Sequence, residues 1–189
     1  MSVMFIQTEA TPNPATLKFI PGKPVLPGST REYRSSDEAV ESPLAAKLFG
    51  IKGVSGVFLG HDFVTVSRKE MEWQQLKPAI LGAIMDHYLS GAPMLAGEAT
   101  VNTESDEEFF DEGESDTVKV IKDLLDSRVR PAVAQDGGDI TFKGFKDGVV
   151  FLNMKGSCAG CPSSTATLKH GIENLLRHFV PSVAEVRQV

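Results

Sequence analysis

The chain has 189 residues, of which 41% are hydrophobic and 23% are charged, and its formal net charge is −6. This composition is typical of a folded globular protein and excludes a fibrous or wholly disordered chain. No apolar run approaches the ~20 residues that a membrane-spanning helix needs, so we expect no membrane association. The two cysteines lie three positions apart, which excludes the disulfide framework of a small secreted domain.

The negative charge is concentrated in one segment. Residues 98–116 hold nine acidic residues and no lysine or arginine. A segment of this composition buries too little apolar surface to offset its chain entropy and self-repulsion, so we predict a flexible linker between domains at residues 1–97 and 117–189. Phe109 and Phe110 are interpreted as solvated linker residues. The second domain has ten basic and seven acidic residues, an excess too small to predict nucleic-acid binding.

Six elements are predicted in the first domain, in the order β-β-α-β-β-α. A turn at Thr11–Pro14 separates the first two predicted strands. The pair Ser42-Pro43 is typical of a helix start and marks the beginning of the first helix. The helix before Gly50 is short, and the last helix shows apolar residues at helical spacing. The predicted strands and helices are Met4–Thr8, Thr16–Ile20, Leu44–Phe49, Val54–Leu59, Phe63–Ser67 and Trp73–Leu89.

Five elements are predicted in the second domain, in the order α-β-β-α-β, which makes the whole chain an α+β protein of two small domains. The first helix carries Val118, Ile121, Leu125 and Val129 on one face, after which Pro131 and Gly137-Gly138 are predicted to break the helical pattern and to give a sharp turn. Asp147-Gly148 indicates a two-residue hairpin turn, since both positions tolerate positive φ. The remaining predicted elements are the strands Asp139–Phe145 and Val149–Met154, a helix with Leu168, Ile172, Leu175 and Phe179 on one face, and the strand Val183–Val189.

The two cysteines lie between a predicted strand and a predicted helix, in the segment GSCAGCPSST of residues 156–165. Pro162 suits the first helical position, so Cys161 is expected near the helix start, where the positive end of the helix lowers a cysteine pKa. We therefore predict that Cys158 and Cys161 bind metal, and that both lie on the loop and helix start, outside the core. Ser163, Ser164 and Thr165 are expected to cap the helix and to donate hydrogen bonds toward the sulfurs.

The number of ligands limits what one chain can hold. A structural zinc ion, a [2Fe–2S] cluster or a [4Fe–4S] cluster normally needs four ligands, and this chain offers two cysteines. His170 lies nine residues beyond Cys161, or ~13 Å along a helix, so it is not expected to be a third ligand. A two-fold homodimer would complete the set by bringing two CxxC pairs face to face. The spacing alone equally suits thiol–disulfide exchange or half a zinc site.

Longer sequence motifs favour one of these kinds of site, because the motifs resemble those of a known family. The run Asp136–Asp139, followed about twenty residues later by Gly156–Ser164, resembles the carboxy-terminal domain of NifU-type proteins. Thr11–Pro14, Leu17–Phe19 and Asp62–Val66 are similar to the extra domain of the Nfu proteins of bacteria and mitochondria. The two resemblances cover nearly the whole chain. The cysteine-rich assembly domain and the ferredoxin-like domain of the longer nitrogen-fixation proteins have no counterpart in this sequence.

The resemblance implies a late-acting iron–sulfur cluster carrier and not an enzyme. Cys158 and Cys161 match the two ligands of the family, whose cluster is usually [4Fe–4S], with [2Fe–2S] as the alternative. The implied partners are upstream cluster-assembly proteins, apo iron–sulfur proteins and a second copy of the chain. A bacterial cytoplasmic location is expected, or the mitochondrial matrix for a mature eukaryotic chain. The competing interpretations are a thioredoxin-like thiol–disulfide oxidoreductase, whose larger fold does not fit the second domain, and a zinc-bridged interaction module.

Overall fold

The computed structural model describes residues 4–96, 108–159 and 162–189, and for residues 162–164 it describes the backbone alone. The chain divides into two compact units, Met1–Asn102 and Thr103–Val189. Each unit combines helices with a sheet, so the predicted α+β class with two domains is confirmed. Among the described helices, none combines the length and the apolar character that crossing a bilayer requires.

The first unit is built on a five-stranded antiparallel sheet with the strand order β1-β2-β5-β4-β3. The two predicted helices and four predicted strands are present with small shifts of their ends. One strand, Arg31–Tyr33, was missed because its residues have no apolar alternation and only Tyr33 is buried. In chain order the elements are β1 (Gln7–Ala10), β2 (Thr16–Ile20), β3 (Arg31–Tyr33), α1 (Pro43–Phe49), β4 (Val54–Leu59), β5 (Val64–Arg68) and α2 (Trp73–Ser90).

Local hydrogen bonds explain where the elements of this unit begin. The Asn13 side chain accepts a hydrogen bond of 3.0 Å from the Ala15 amide, which forms the turn between β1 and β2. The Ser42 hydroxyl accepts from the Ala45 amide at 3.2 Å, and Pro43 occupies the first helical position, so the predicted start of α1 is confirmed. Both features satisfy backbone donors that would otherwise lack partners.

The second unit has a four-stranded sheet with the order β6-β7-β8-β9. The central pair, β7 and β8, is antiparallel, and each edge strand runs parallel to its neighbour. The helices on either side of the hairpin contribute to one hydrophobic core. In chain order the elements are β6 (Phe109–Phe110), α3 (Ser115–Leu124), a π-helical stretch (Leu125–Val129), α4 (Arg130–Gln135), β7 (Gly138–Lys146), β8 (Val149–Gly156), α5 (Pro162–Phe179) and β9 (Glu185–Gln188).

The hairpin between β7 and β8 turns where the sequence predicts. Asp147 and Gly148 have φ values of 52° and 76°, which is the left-handed region that a two-residue turn requires. The turn pairs Lys146 with Val149, and a β-bulge between Phe142 and Gly144 then shifts the register by one residue, so that Gly138 pairs with Gly156 at the opposite end of the two strands. That end of the hairpin leads into the segment between β8 and α5 that contains the two cysteines, which we call the cysteine loop.

The predicted linker is wrong over residues 108–116, which form a strand, a 3-10 turn and the start of α3. Phe109 pairs in parallel with Gly144, and its ring lies 5.0 Å from the ring of Phe151. A Cβ atom at Gly144 would lie 2.5 Å from the Phe109 ring, so glycine provides the space for this aromatic side chain. Glu108 also forms an ion pair of 2.7 Å with Lys122. These contacts offset the acidic composition. Residues 98–107 of the predicted linker lie outside the described ranges.

The Phe109 contacts lead to a stability prediction. Phe109→Ala is expected to lower the free energy of unfolding of the second unit by about 1–2 kcal/mol, because the side chain is a little over half buried. Hydrogen exchange of the β7 and β8 amides in the full chain measures this unit separately from the first. Phe5→Ala is the matched control, since Phe5 is 79% exposed and its loss should change stability little. Unchanged exchange in Phe109→Ala would restore the interpretation of Phe109 as a solvated linker residue.

Candidate functional site

Cys158 lies in the loop between the end of β8 and the start of α5. The loop turns away from the strand at Gly156, whose φ is 65°. Cys158 is only 5% exposed and belongs to the hydrophobic core of the second unit. The expectation that Cys158 lies outside the core is therefore wrong, because its sulfur packs against Gly138 at the start of β7. Cys161 and Gly160 lie outside the described residues, so the pairing of the two cysteines stays a prediction.

The thiol of Cys158 packs against the backbone of Gly138. A Cβ atom at Gly138 would lie 2.4 Å from the Cys158 sulfur and 2.8 Å from the Lys155 carbonyl oxygen. Any side chain at this position would displace the thiol or the strand, so the site requires glycine for close approach. The carbonyl oxygen of Cys158 accepts a hydrogen bond of 3.0 Å from the Thr165 hydroxyl. Thr165 was expected to donate toward the sulfurs, and it donates to the backbone instead.

The turn between α4 and β7 holds the cysteine loop from the other side. The Ser157 amide donates to the Gly137 carbonyl at 3.2 Å, and the Ser157 hydroxyl donates to the Asp136 carbonyl. Ser157 is 2% exposed, so both hydrogen bonds are shielded from water. Asp136 and Gly137 thus form a turn, as interpreted from the sequence, while Gly138 and Asp139 begin β7. The turn lies directly against the cysteine loop.

Burial raises the pKa of the Cys158 thiol to about 11, and the negative charges of Asp136 and Asp139 act in the same direction. In this arrangement the thiol is protonated at neutral pH. Metal ligands must be thiolates, so binding requires that Cys158 lose its proton and gain a less buried position. The sequence analysis predicts a lowered pKa for Cys161, near the helix start. The pKa of Cys158 is raised instead.

An ion pair that the sequence analysis did not predict lies beside the turn. The Arg130 guanidinium binds Asp139 through two hydrogen bonds, of 2.9 and 3.1 Å, and Asp126 through a third of 3.1 Å. The Asp139 side chain is 6% exposed, and it also accepts from the Ile140 amide at 2.8 Å. The hydrogen bonds to Asp139 raise the pKa of Arg130 further above its usual range. This pair fixes the start of β7, next to Gly138.

The helix before the turn is longer than predicted. The break expected at Pro131 does not occur, because the helix changes to π-helical geometry over Leu125–Val129 and then continues as α4. The Arg130 amide reaches the Leu125 carbonyl, five residues back. Pro131 lies at the start of α4, which follows directly after the π-helical stretch. The π-helical stretch shifts the helix face, and Arg130 follows it directly.

The remaining candidate ligands are not gathered around Cys158. His170 and His178 are exposed on α5, as expected from the sequence. Across residues 4–96, 108–159 and 162–189, no group of three or more histidine, cysteine, aspartate or glutamate side chains is placed to hold a metal ion.

Comparisons with known proteins match both units. Residues 6–91 match the family model described as "Scaffold protein Nfu/NifU N terminal", and residues 121–187 match the model of the NifU-like domain. This succession of domains, with a CxxC loop in the second, defines the class of scaffold proteins built from Nfu and NifU units. The chain belongs to the Nfu family, because a human relative of that name is 50% identical to it over 188 residues.

That relative is the mitochondrial NFU1 iron-sulfur cluster scaffold homolog of Homo sapiens, and the match covers 98% of this chain and 72% of the relative. The homolog of Drosophila ananassae is also 50% identical, and this chain spans 64% of its length. A NifU-like protein of Saccharomyces cerevisiae, solved by NMR, is 27% identical over 52% of this chain and 89% of its own, with a TM-score of 0.47.

Proposed function

We propose that this protein carries an iron–sulfur cluster as cargo, binds it through Cys158 and Cys161 of two copies of the chain, and delivers it to apo-proteins. The observation that carries the proposal is the position of Cys158, in a loop fixed between a glycine turn and α5 of a NifU-like domain. The name of the human relative supports the same cargo. No step in this function converts a small molecule, so the protein is proposed to be a carrier and not an enzyme.

Ligand number supports the homodimer. The chain has two cysteines in all, and a [4Fe–4S] cluster needs four ligands, as does a [2Fe–2S] cluster. Two chains related by a two-fold axis supply Cys158 and Cys161 twice and complete the set. A cluster bound between two chains is released when the thiolates of a target replace these ligands, and the two chains then separate. We propose [4Fe–4S] as the working form, following the family resemblance.

The match of residues 121–187 to the NifU-like domain favours a carrier over an oxidoreductase. A thioredoxin-like enzyme and a cluster carrier both need the Cys158 thiolate, so the burial and the raised pKa of this thiol do not separate the two functions. A zinc-bridged interaction module would use the same ligands and is distinguished by its lack of visible absorbance. The proposed partners are apo iron–sulfur proteins and the assembly proteins that load the cluster. The proposed location is the cytoplasm of a bacterium or the mitochondrial matrix, and the word "mitochondrial" in the names of the relatives supports the second.

The test is anaerobic reconstitution of the full chain with iron and sulfide. We expect a coloured protein with one cluster per two chains, and sedimentation should show a monomer before loading and a dimer after it, since a ligand that binds only the dimer shifts the equilibrium by mass action. Removing iron with a chelator should return the monomer. A colourless dimer formed with zinc alone would support the interaction module, and a coloured monomer without added thiol would contradict the shared site.

A further inference from the structure

One histidine of the first unit occupies a core position. The buried residues of α2 follow one another at helical spacing along a single face of the helix, and they are Leu76, Ile80, Ile84 and His87. His87 is 1% exposed, so its imidazole takes the place of an apolar side chain in the last turn of the helix. A side chain that ordinarily gains a proton just below neutral pH is thus placed out of contact with water.

The imidazole of His87 lacks a partner on one side. Its Nε2 atom is buried and has no hydrogen-bond partner among the described residues. A neutral imidazole tolerates this position, because one of its two nitrogens carries no proton, whereas an imidazolium has two N–H donors. A buried donor without an acceptor is costly, and a positive charge on the same ring adds to the cost. The geometry of the position therefore favours the neutral form of His87.

The charged groups beside His87 lie on two helices. α1 packs against α2, and the one charged residue of α1, Lys47, forms an ion pair with Asp86. Burial is the main cause that lowers the pKa of His87, Lys47 acts in the same direction, and Asp86 acts against both. The carboxyl end of α2 also favours a positive charge, and the ring of Tyr88 lies edge-on at 5.8 Å. The net effect is a lowered pKa, so His87 is neutral in the folded unit at neutral pH.

The direction of the pH dependence follows from this lowered pKa. In the unfolded chain the imidazole has its ordinary pKa of ~6.5, and in the folded unit the pKa lies below that value. As the pH falls below ~6.5, the unfolded chain binds a proton that the folded unit excludes. The stability that neutral His87 provides is therefore present above this pH and is lost as the pH falls.

We propose that His87 makes the first unit sensitive to mild acid, because α2 keeps its packing while the imidazole is neutral and loosens when the imidazole gains a proton. The change is expected to begin below pH ~6.5. This inference concerns the first unit alone and does not depend on the proposed cargo. Its physical content is that a single buried side chain couples the folding of this unit to pH.

The experiment uses the intrinsic fluorescence of the full chain. The single tryptophan, Trp73, and both tyrosines belong to the first unit, so fluorescence reports the unfolding of this unit alone. Urea unfolding is followed at about pH 7.5 and about pH 5.5 in the parent and in His87→Leu, which cannot be protonated. We expect the unfolding equilibrium constant to rise between these pH values by roughly threefold to tenfold more in the parent than in His87→Leu, as uptake of up to one proton implies.

A second histidine of the same unit provides the matched control. His61 is exposed, and His61→Gln should keep the pH dependence of the parent. His87→Gln is a second neutral variant for the case that leucine does not fit the position. An equal rise in the parent and in the neutral His87 variants would overturn the inference, as would the loss of the pH dependence in His61→Gln.

A measurement on the parent chain tests the same inference without a substitution at His87. At about pH 6 an imidazole with its ordinary pKa is mostly protonated. The ring C–H signals of His87 in NMR spectra of the full chain should remain close to the positions of the neutral form at that pH. Signals at the positions of the protonated form, in a chain whose first unit is still folded, would contradict the proposed role of His87.

Discussion

Replacement of either cysteine is expected to abolish cluster binding. Each substitution removes two of the four proposed ligands from the dimer, and two thiolates do not retain an iron–sulfur cluster. Iron and sulfide content after anaerobic reconstitution should fall to background in Cys158→Ala and in Cys161→Ser. The same variants should remain monomeric under conditions in which the parent chain becomes a dimer.

The choice of substitution at Cys158 follows from its burial. Serine would place a hydroxyl group in the core at a cost of about 1–3 kcal/mol, so alanine is the cleaner replacement there. Gly171→Ala, on α5, is the control, because a Cβ atom at Gly171 meets nothing within 4 Å beyond the adjacent backbone of its own helix. This control should bind a full cluster. A full cluster in either cysteine variant would contradict the ligand assignment.

The second large effect is expected on stability, at the ion pair beside the turn. Arg130→Met leaves the Asp139 carboxylate, which is 6% exposed, without its two guanidinium hydrogen bonds. Breaking a buried pair by removing one partner costs ~3–5 kcal/mol, and partial exposure of Arg130 reduces this to about 2–4 kcal/mol. The loss should appear as a lower free energy of unfolding of the second unit, measured by hydrogen exchange of the β7 and β8 amides.

A double-mutant cycle isolates the pair. Arg130→Met combined with Asp139→Asn should be more stable than Arg130→Met alone, because the asparagine removes the buried negative charge. Arg128→Met is the matched control in the same helical segment. Arg128 is exposed and its guanidinium lies 5.2 Å from the Phe179 ring, an interaction worth about 0.5–1 kcal/mol. Equal losses in Arg128→Met and Arg130→Met would show that the ion pair contributes nothing specific.

Elements with strong local signals were predictable from the sequence. Ser42-Pro43 and Asp147-Gly148 determine a helix start and a turn through interactions within a few residues, and both predictions are confirmed. The strands β3 and β6 were not predicted, since their stability comes from partners that lie far away in the sequence. In β6, the Phe109 ring packs over Gly144 and against the ring of Phe151. These contacts stabilise a strand in a segment whose acidic composition by itself indicates disorder.

The residue types of the candidate site could be predicted from the sequence, but the burial of the Cys158 thiol could not. The CxxC spacing and the flanking glycines identify Cys158 without any structure, although burial of its thiol depends on tertiary contacts. Gly137 has a φ of 80°, as expected for a turn, whereas Gly138 is needed for close approach of the thiol. Arg130 and Asp139 are nine residues apart across that turn, and no local pattern predicts that they meet.

The two edge strands support only one end of the second sheet. β6 pairs only with Gly144 and Phe145, and β9 pairs only with Val149–Leu152, so both flank the hairpin near its turn. At the other end, residues 138–141 and 153–156 pair with each other and with no further strand of the described chain. The Arg130–Asp139 ion pair and the hydrogen bonds of Ser157 therefore do at the site end what the edge strands do at the turn end. Removing these side-chain contacts should loosen the site end of the sheet before its turn end.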